Sequence, residues 1–126
     1  MTEILCLHHA SLLVSDTEQA LRFYRDLLGL PVCNDRPDLG YPGAWLKVGG
    51  GQQIHLLELP NPDPVEGRPQ HGGRDRHLAL TVNSLINIEN SLKKANISYT
   101  LSRSGRAALF CRDPDGNALE FIQQKT

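Results

Sequence analysis

The chain has 126 residues and a formal net charge of −1 at pH 7, which comes from 13 basic and 14 acidic residues. A chain of this length is usually one domain, so we expect a single domain over residues 1–126. The basic residues form no stripe, which argues against a nucleic-acid partner, and no stretch approaches the roughly 20 apolar residues of a membrane span.

The cysteine content indicates a reducing compartment. Cys6, Cys33 and Cys111 are odd in number and have no Cys-x-x-Cys spacing, which argues against a disulfide framework and against a zinc ribbon. The first residues, MTEILCLHHA, carry an acidic residue where a secretory signal has basic ones. We therefore expect a cytoplasmic protein.

Residues 1–59 have the pattern of a β-α-β-β-β unit, which we call module 1. Alternation of apolar residues predicts a strand at Ile4–Val14. Asp16 is suited to cap a helix over Thr17–Leu28, and Gly29 is suited to end it in a left-handed conformation. Three more strands, separated by turns rich in proline and glycine, are predicted at Leu30–Asp35, Ala44–Val48 and Gln53–Leu59.

The composition of residues 60–74 predicts a linker. Residues 75–126 repeat the β-α-β-β-β pattern, and we call them module 2. The linker is rich in proline and glycine and has few apolar side chains, so it could also be a mobile loop over a site. Module 2 has a predicted helix from near Ser84 to Ala95 and a tight DPDGN turn at Asp113–Asn117. Its strands are predicted at Arg76–Val82, Ile97–Leu101, Arg106–Cys111 and Ala118–Gln123.

The two modules share a sequence repeat that places ligand-type residues at equivalent positions. HHASLLVSD, which starts at His8, aligns with RHLALTVNS, and GQQIHLLE aligns with GNALEFIQ. The alignment equates His9 with His77, at an offset of 68 residues, and His55 with Glu120, at an offset of 65. Imidazoles and a carboxylate suit Zn, Ni, Co, Mn or Fe(II), so the repeat predicts one divalent metal ion per site.

The strand pattern predicts which face these residues occupy. Alternation places His9 on the same face as Ser11, and His77 on the same face as Ala79. We expect the apolar faces to pack under the helices and the histidine-led faces to line the concave side of a curved sheet. Glu120 would lie among apolar neighbours, where an unpaired carboxylate is costly and a metal ion would remove that cost.

Two further motifs, FYRDLLGL and DPDGNALEF, together with the paired modules, resemble the vicinal oxygen chelate superfamily. That family includes glyoxalase I, methylmalonyl-CoA epimerase, extradiol dioxygenases, and the fosfomycin and bleomycin resistance proteins. The resemblance covers the whole chain apart from the linker. It implies an α+β fold in which two tandem β-α-β-β-β modules form a curved mixed sheet around a metal-binding cup, and it implies a homodimer.

The resemblance also assigns roles to individual residues. It implies that His9, His55, His77 and Glu120 bind the metal, and no organic cofactor is expected. At the position of His55, glyoxalase I typically has Glu and the epimerase has Gln, so either a histidine moves the substrate proton here or the reaction is different. In an isomerase or lyase, His55 or Glu120 would serve as the general base. Trp45 is expected either to line the substrate cavity or to belong to the core.

Other polar residues have plainer expected roles. We expect His8 to be structural, facing the helices or lying at a strand edge, and His71 to be solvated within the linker. Arg106 precedes a strand next to the site, so it could meet an anionic substrate, but a surface position is the simpler expectation.

The resemblance favours a metal-dependent isomerase or lyase of the glyoxalase type, acting on a small oxygenated substrate through bidentate metal chelation. One alternative is a small non-haem Fe(II) dioxygenase of the extradiol type, in which His9, His77 and Glu120 would form the facial triad. Another is a metal-free drug-binding protein of the bleomycin-resistance type, against which that ligand set counts. A thiol transferase is disfavoured because Arg103–Phe110 lacks the serine-rich loop of the fosfomycin resistance proteins.

Overall fold

The structure is a computed structural model that describes residues 2–124 of the chain. The chain separates into two compact units, Met1–Asn61 and Pro62–Thr126. Each unit contains one of the predicted modules. The single domain over residues 1–126 stays a prediction, and residues 1, 125 and 126 lie outside the described ones.

The first unit contains a three-stranded mixed sheet and a helical segment. Its elements are strand β1 (His9–Val14), helix α1 (Thr17–Leu21) with a π-helical continuation (Arg22–Leu27), strand β2 (Gly43–Lys47) and strand β3 (Gln53–Glu58). The strand order is β1-β3-β2, in which β1 runs parallel and β2 antiparallel to β3. Parallel neighbours need a crossover connection, and the helical segment lies within the one that joins β1 to β3.

The predicted ends of the first helix are confirmed. Asp16 accepts a hydrogen bond at Oδ1 from the backbone N–H of Gln19, at 2.9 Å, which satisfies one of the free donors of the first turn. Gly29 has a φ of +79°, and the N–H of Leu30 donates to the carbonyl of Tyr24 at 3.0 Å, so the helical segment ends in a left-handed glycine cap.

The predicted strand at Leu30–Asp35 is wrong except at its centre. Only Val32 pairs with β2, as an isolated bridge to Leu46. Hydrogen bonds flank the bridge, from Cys33 N to Trp45 O at 2.7 Å and from Lys47 N to Pro31 O at 2.8 Å. Pro31 has no N–H to donate, and a turn begins directly after Cys33, so the ladder stops there.

The first predicted strand is also shorter than its alternating pattern. β1 begins at His9; the carbonyl of His8 still accepts a hydrogen bond from the N–H of Gln53 at 3.1 Å, but no described residue before His9 belongs to a strand. Ile4, Leu5 and Leu7 are exposed to 96%, 85% and 72%. The predicted strand is therefore wrong for residues 4–8 and confirmed from His9 to Val14.

The second unit contains a four-stranded mixed sheet and a helix. Its elements are strand β4 (His77–Val82), helix α2 (Leu85–Lys94) and strands β5 (Tyr99–Leu101), β6 (Ala108–Arg112) and β7 (Ala118–Gln123). The strand order is β4-β7-β6-β5, with β4 parallel to β7 and the other neighbours antiparallel. The α+β class is thereby confirmed, and the second unit has the full β-α-β-β-β order, whereas the first unit lacks the second predicted strand.

The apolar strand faces form the core of each unit. Leu46, Ile54 and Leu56 are at most 1% exposed in the first unit. In the second, Leu92 of α2 and Leu119 of β7 are completely buried, and α2 packs against β7. The predicted burial of an apolar face under the helix is confirmed there.

Residues 62–74, which are most of the predicted linker, belong to the second unit. Arg68 donates to both carboxylate oxygens of Asp75, at 2.8 and 2.6 Å. Arg112, at the end of β6, donates to Asp75 at 2.9 Å and to the carbonyl of Pro69 at 2.6 Å. These bonds attach the segment to the second sheet.

Within residues 2–124, no helix has the length and hydropathy needed to cross a membrane.

Candidate functional site

The two units repeat the same strand register at the predicted ligand positions. In the first unit His55 on β3 pairs with Ser11 on β1, two residues after His9. In the second unit Glu120 on β7 pairs with Ala79 on β4, two residues after His77. Because paired residues share a face of the sheet, each unit has its two predicted ligands on one face, as the sequence repeat predicts.

In the first unit, His9 and His55 come together in a stack of aromatic rings. The ring centroids of His9 and His55 lie 3.9 Å apart, with an angle of 14° between the planes. Trp45, which pairs with His55 across β2 and β3, stacks at 4.3 Å and 8°. Trp45 thus contacts a predicted ligand instead of lying in the core.

His55 is held as a neutral ligand would be. Its side chain is buried, and its Nε2 lies 2.8 Å from Oε1 of Gln53. Burial lowers the pKa of His55, and the neighbouring His9, His8 and Arg36 lower it further. A neutral imidazole is the form that binds a metal or accepts a proton.

His8 lies just before β1 and is exposed, which agrees with a position at the strand edge. Its Nδ1 lies 2.9 Å from Nδ1 of His9, and the two rings meet edge to face at 5.2 Å. One of the two nitrogens must donate to the other, so the tautomers of His8 and His9 are coupled.

In the second unit, Glu120 is a buried carboxylate that contacts the imidazole of His77 and the guanidinium of Arg106. It is 2% exposed. Its Oε1 lies 3.3 Å from Nε2 of His77, and its Oε2 accepts a hydrogen bond from Nη2 of Arg106 at 3.0 Å. The predicted pair of His77 and Glu120 is therefore formed, and the cost of burying the carboxylate is offset by Arg106.

The ring of His77 is oriented by the backbone. Its Nδ1 lies 2.8 Å from the carbonyl oxygen of Asp75. A carbonyl only accepts, so Nδ1 carries the hydrogen and Nε2 is the nitrogen that faces Glu120. This arrangement, a ring N–H fixed by a carbonyl, is common behind histidines that bind metals.

Asp75 is itself fixed by charge. Its side chain is 7% exposed and lies between Arg68 and Arg112. The hydrogen bonds from Arg68, and then those from Arg112, hold the pKa of Asp75 well below its usual range. The carboxylate therefore stays charged and keeps the backbone that orients His77 in place.

A cavity of about 320 Å³ opens beside His77 and Glu120. Its wall includes Phe110, whose ring lies edge to face against both His77, at 5.2 Å, and His71, at 4.9 Å. The expectation that His71 is solvated is wrong, because its side chain is buried and its Nδ1 lies 2.7 Å from Oγ1 of Thr100.

The sequence predicted the candidate ligand pairs but not the residues that contact or orient them. Arg106 is exposed, as expected, but its contact with Glu120 was not anticipated, and neither were the contributions of Asp75 and His71. One signal was available for Arg106, because a carboxylate on an apolar strand needs a cation, and this arginine precedes the antiparallel neighbour of that strand.

Within either unit, the described residues hold no group of three or more His, Cys, Asp or Glu placed to bind a metal.

Comparisons with known proteins agree with this fold. A curated relative, Glyoxylase I 4 of Arabidopsis thaliana, is 31% identical over 120 residues, which are 91% of this chain and 68% of that protein. Lactoylglutathione lyase of Haemophilus influenzae is 26% identical over 125 residues, which are 94% and 92% of the two chains. The crystal structure of a glyoxalase family protein from Bacillus anthracis aligns over 99% of both chains, with a TM-score of 0.80 and 24% identity.

The sequence pattern of one protein family covers nearly the whole chain. It is the family described as the Glyoxalase/Bleomycin resistance protein/Dioxygenase superfamily, and it matches residues 6–121. The paired modules and the repeated register are the architecture that the resemblance implied. The chain therefore belongs to the glyoxalase, bleomycin resistance protein and dioxygenase superfamily, the vicinal oxygen chelate fold.

Proposed function

We propose that this protein is a metal-dependent lyase or isomerase of the glyoxalase type, acting on a small substrate with two neighbouring oxygens. The observation that carries the proposal is the pair formed by His77 and the buried Glu120. The names of the relatives, a glyoxylase and a lactoylglutathione lyase, support the reaction class.

The donor atoms suit a divalent metal ion. His77 presents Nε2 while its Nδ1 is held by a carbonyl, and Glu120 presents a carboxylate that is buried in the same wall. We propose that His9, His55, His77 and Glu120 are the metal ligands; within each unit the register places one pair of them on one face of the sheet. When bound, Zn, Ni, Co, Mn or Fe would supply Lewis-acid stabilisation of a developing oxyanion.

The chain's own residues would supply the proton transfer. Glu120 or His55 would take the proton from the carbon next to the substrate carbonyl and return it to the neighbouring position. Gln53 holds Nε2 of His55, and Arg106 holds Oε2 of Glu120, so both groups have fixed orientations. Trp45 stacks on His55 and would exclude water on that side.

We also expect a homodimer in the cytoplasm. β1 is an edge strand of the first sheet and β4 is an edge strand of the second. Edge strands are commonly covered by a partner or by a neighbouring element. The cysteines at 6, 33 and 111 are free, which suits a reducing compartment. Light scattering on the purified protein measures the mass, and a monomer of 14.0 kDa would contradict the dimer.

Turnover of hemithioacetals, formed from 2-oxoaldehydes and thiols, tests the proposal on metal-reconstituted protein. Glu120→Gln keeps the shape of the side chain but removes the charge, and Glu66→Gln changes an exposed glutamate in the same way. We expect a loss of kcat of roughly a hundredfold or more in the first variant and no change in the second. Oxygen uptake with catechols, together with no hemithioacetal turnover, would instead favour the dioxygenase.

A further inference from the structure

The cavity beside Glu120 is lined by more basic than acidic side chains. Three arginines, Arg74, Arg103 and Arg106, line its volume of about 320 Å³. Among the described residues that line it, Glu120 is the only carboxylate. The cavity therefore holds more positive than negative charge next to the candidate ligands.

The loop between β5 and β6 presents two of these arginines. Oγ of Ser102 lies 2.8 Å from Oγ of Ser104, and Nε of Arg106 donates to the Ser104 hydroxyl at 3.3 Å. Gly105, with a φ of +85°, allows the sharp turn between Arg103 and Arg106. The loop is thus a closed turn with internal hydrogen bonds, and it places both arginines in the lining of the cavity.

A second, independent segment presents the third arginine. Gly72 and Gly73 pack so closely on Phe110 that an added Cβ would lie 3.3 Å from Phe110 Cβ at the first and 3.2 Å from Phe110 Cζ at the second. The N–H of Arg74 donates to the carbonyl of His71 at 3.0 Å. This short turn carries Arg74 to the wall of the cavity.

The positive charge is only partly compensated. Arg106 is paired with Glu120, whereas the side chains of Arg74 and Arg103 have no hydrogen-bond or ion-pair partner within residues 2–124. Burial lowers the pKa of the neighbouring His71, and the charges of Arg103 and Arg74 lower it further. Two guanidiniums therefore remain available to an anion from outside the chain.

We propose that Arg74, Arg103 and Arg106 form an anion-binding subsite, and that the substrate carries a carboxylate or phosphate group beside its two chelating oxygens. The second half of this inference rests on the proposed function, while the first concerns the cavity alone. Guanidiniums bind such groups through paired, charge-assisted hydrogen bonds. Ser102 and Ser104, which also line the cavity, would add hydroxyl donors.

Calorimetric titration of metal-free protein with inorganic phosphate, and separately with succinate, tests the subsite. Arg103→Gln and Arg74→Gln remove side chains without a partner among the described residues, so neither variant should disturb the fold. Arg22→Gln is the matched control, because Arg22 is an exposed arginine of the first unit. We expect saturable binding of at least one anion, roughly tenfold weaker in each cavity variant and unchanged in the control.

The results of this titration either support or overturn the proposed anion-binding subsite. Tighter binding of phosphate or of succinate shows which group the subsite prefers. Absence of saturable binding of both anions, or equal binding in all the variants, would overturn it. Because the protein is metal-free, the titration does not depend on the proposed reaction. Intact, arginine-dependent binding in a protein without hemithioacetal turnover would contradict the proposed function and leave the subsite standing.

Discussion

Nε2 of His77 lies 3.3 Å from Oε1 of Glu120, across the parallel strands β4 and β7. The equivalent positions of the first unit hold His9 and His55, whose ring centroids are 3.9 Å apart. The two units thus repeat a contact between side chains as well as a strand order. A repeat that conserves only the fold would not need to bring polar residues together twice at the same register.

The orientation of His77 should depend on Asp75. Asp75→Asn removes the charge that Arg68 and Arg112 surround, and both guanidiniums are only partly exposed. We expect a loss of about 2–3 kcal/mol in the free energy of unfolding, measured by urea denaturation. Asp63→Asn is the control, since its pair with Arg76 is largely exposed and should contribute less than about 1 kcal/mol. Equal effects of both substitutions would contradict the role given to Asp75.

Close packing at Gly73 should make the cavity wall intolerant of even one added methyl group. A Cβ there would lie 2.8 Å from Nε2 of His71, whose ring is held by Thr100. We expect Gly73→Ala to cost about 1–3 kcal/mol of unfolding free energy. At Gly49 an added Cβ meets nothing within 4 Å, so Gly49→Ala should leave the unfolding midpoint nearly unchanged. A similar midpoint for both variants would show that the wall can relax.

The cysteines should differ sharply in reactivity. Cys6 is exposed, whereas Cys33 and Cys111 are buried. Burial, with a smaller contribution from Asp113, raises the pKa of Cys111 to about 12. At about pH 8 we expect a thiol reagent to label Cys6 rapidly and the other two only after unfolding, because the thiolate is the reactive form. Rapid labelling of native Cys6→Ser protein would contradict this.

The same shift predicts a pH dependence of stability. Above about pH 9 the unfolded chain would ionise Cys111, while the folded protein keeps its proton up to a pKa of about 12. The unfolded state then binds fewer protons, so the free energy of unfolding should fall as the pH rises above about 9. Cys111→Ala should show a smaller fall in urea denaturation at alkaline pH. An identical fall in this variant would assign the effect to other groups.

Trp45 should report on ligand binding to His55. It is the single tryptophan of the chain, and its ring stacks on His55 at 4.3 Å. We expect zinc or cobalt to change its fluorescence in metal-free protein, and His55→Gln to abolish the change. Glu66→Gln, which alters an exposed side chain outside the proposed ligand set, should retain it. A response that persists in His55→Gln would remove His55 from the ligand set.

Much of the fold could be predicted because its signals are local. Asp16 and Gly29 act on their own helix, and both are placed as the sequence predicts. The DPDGN turn is equally local, since Asp113 accepts hydrogen bonds from the N–H groups of Asp115 and Asn117 at 2.9 Å each. The strand at Leu30–Asp35 failed because Pro31 has no N–H to donate and a turn begins after Cys33, so that pairing with β2 is limited to one bridge at Val32.

In the candidate site, too, only the part set by regular strand geometry could be predicted. The repeat placed His77 and Glu120 on one face, because strand alternation and parallel register are regular. The contacts of Arg106 and Arg112 with distant segments depend on how irregular loops close, and no sequence period encodes that. The supports of the site, and the basic cavity beside it, therefore became visible only in the structure.

Metal content is the most direct test of the central claim. Elemental analysis of untagged protein should be made on the wild type, on Glu120→Gln and on the exposed control Glu66→Gln. We expect about one equivalent of a divalent ion per site in the wild type and the control, and its loss in Glu120→Gln. Absence of metal after reconstitution, or equal metal in all three proteins, would contradict the account and favour a metal-free binding protein.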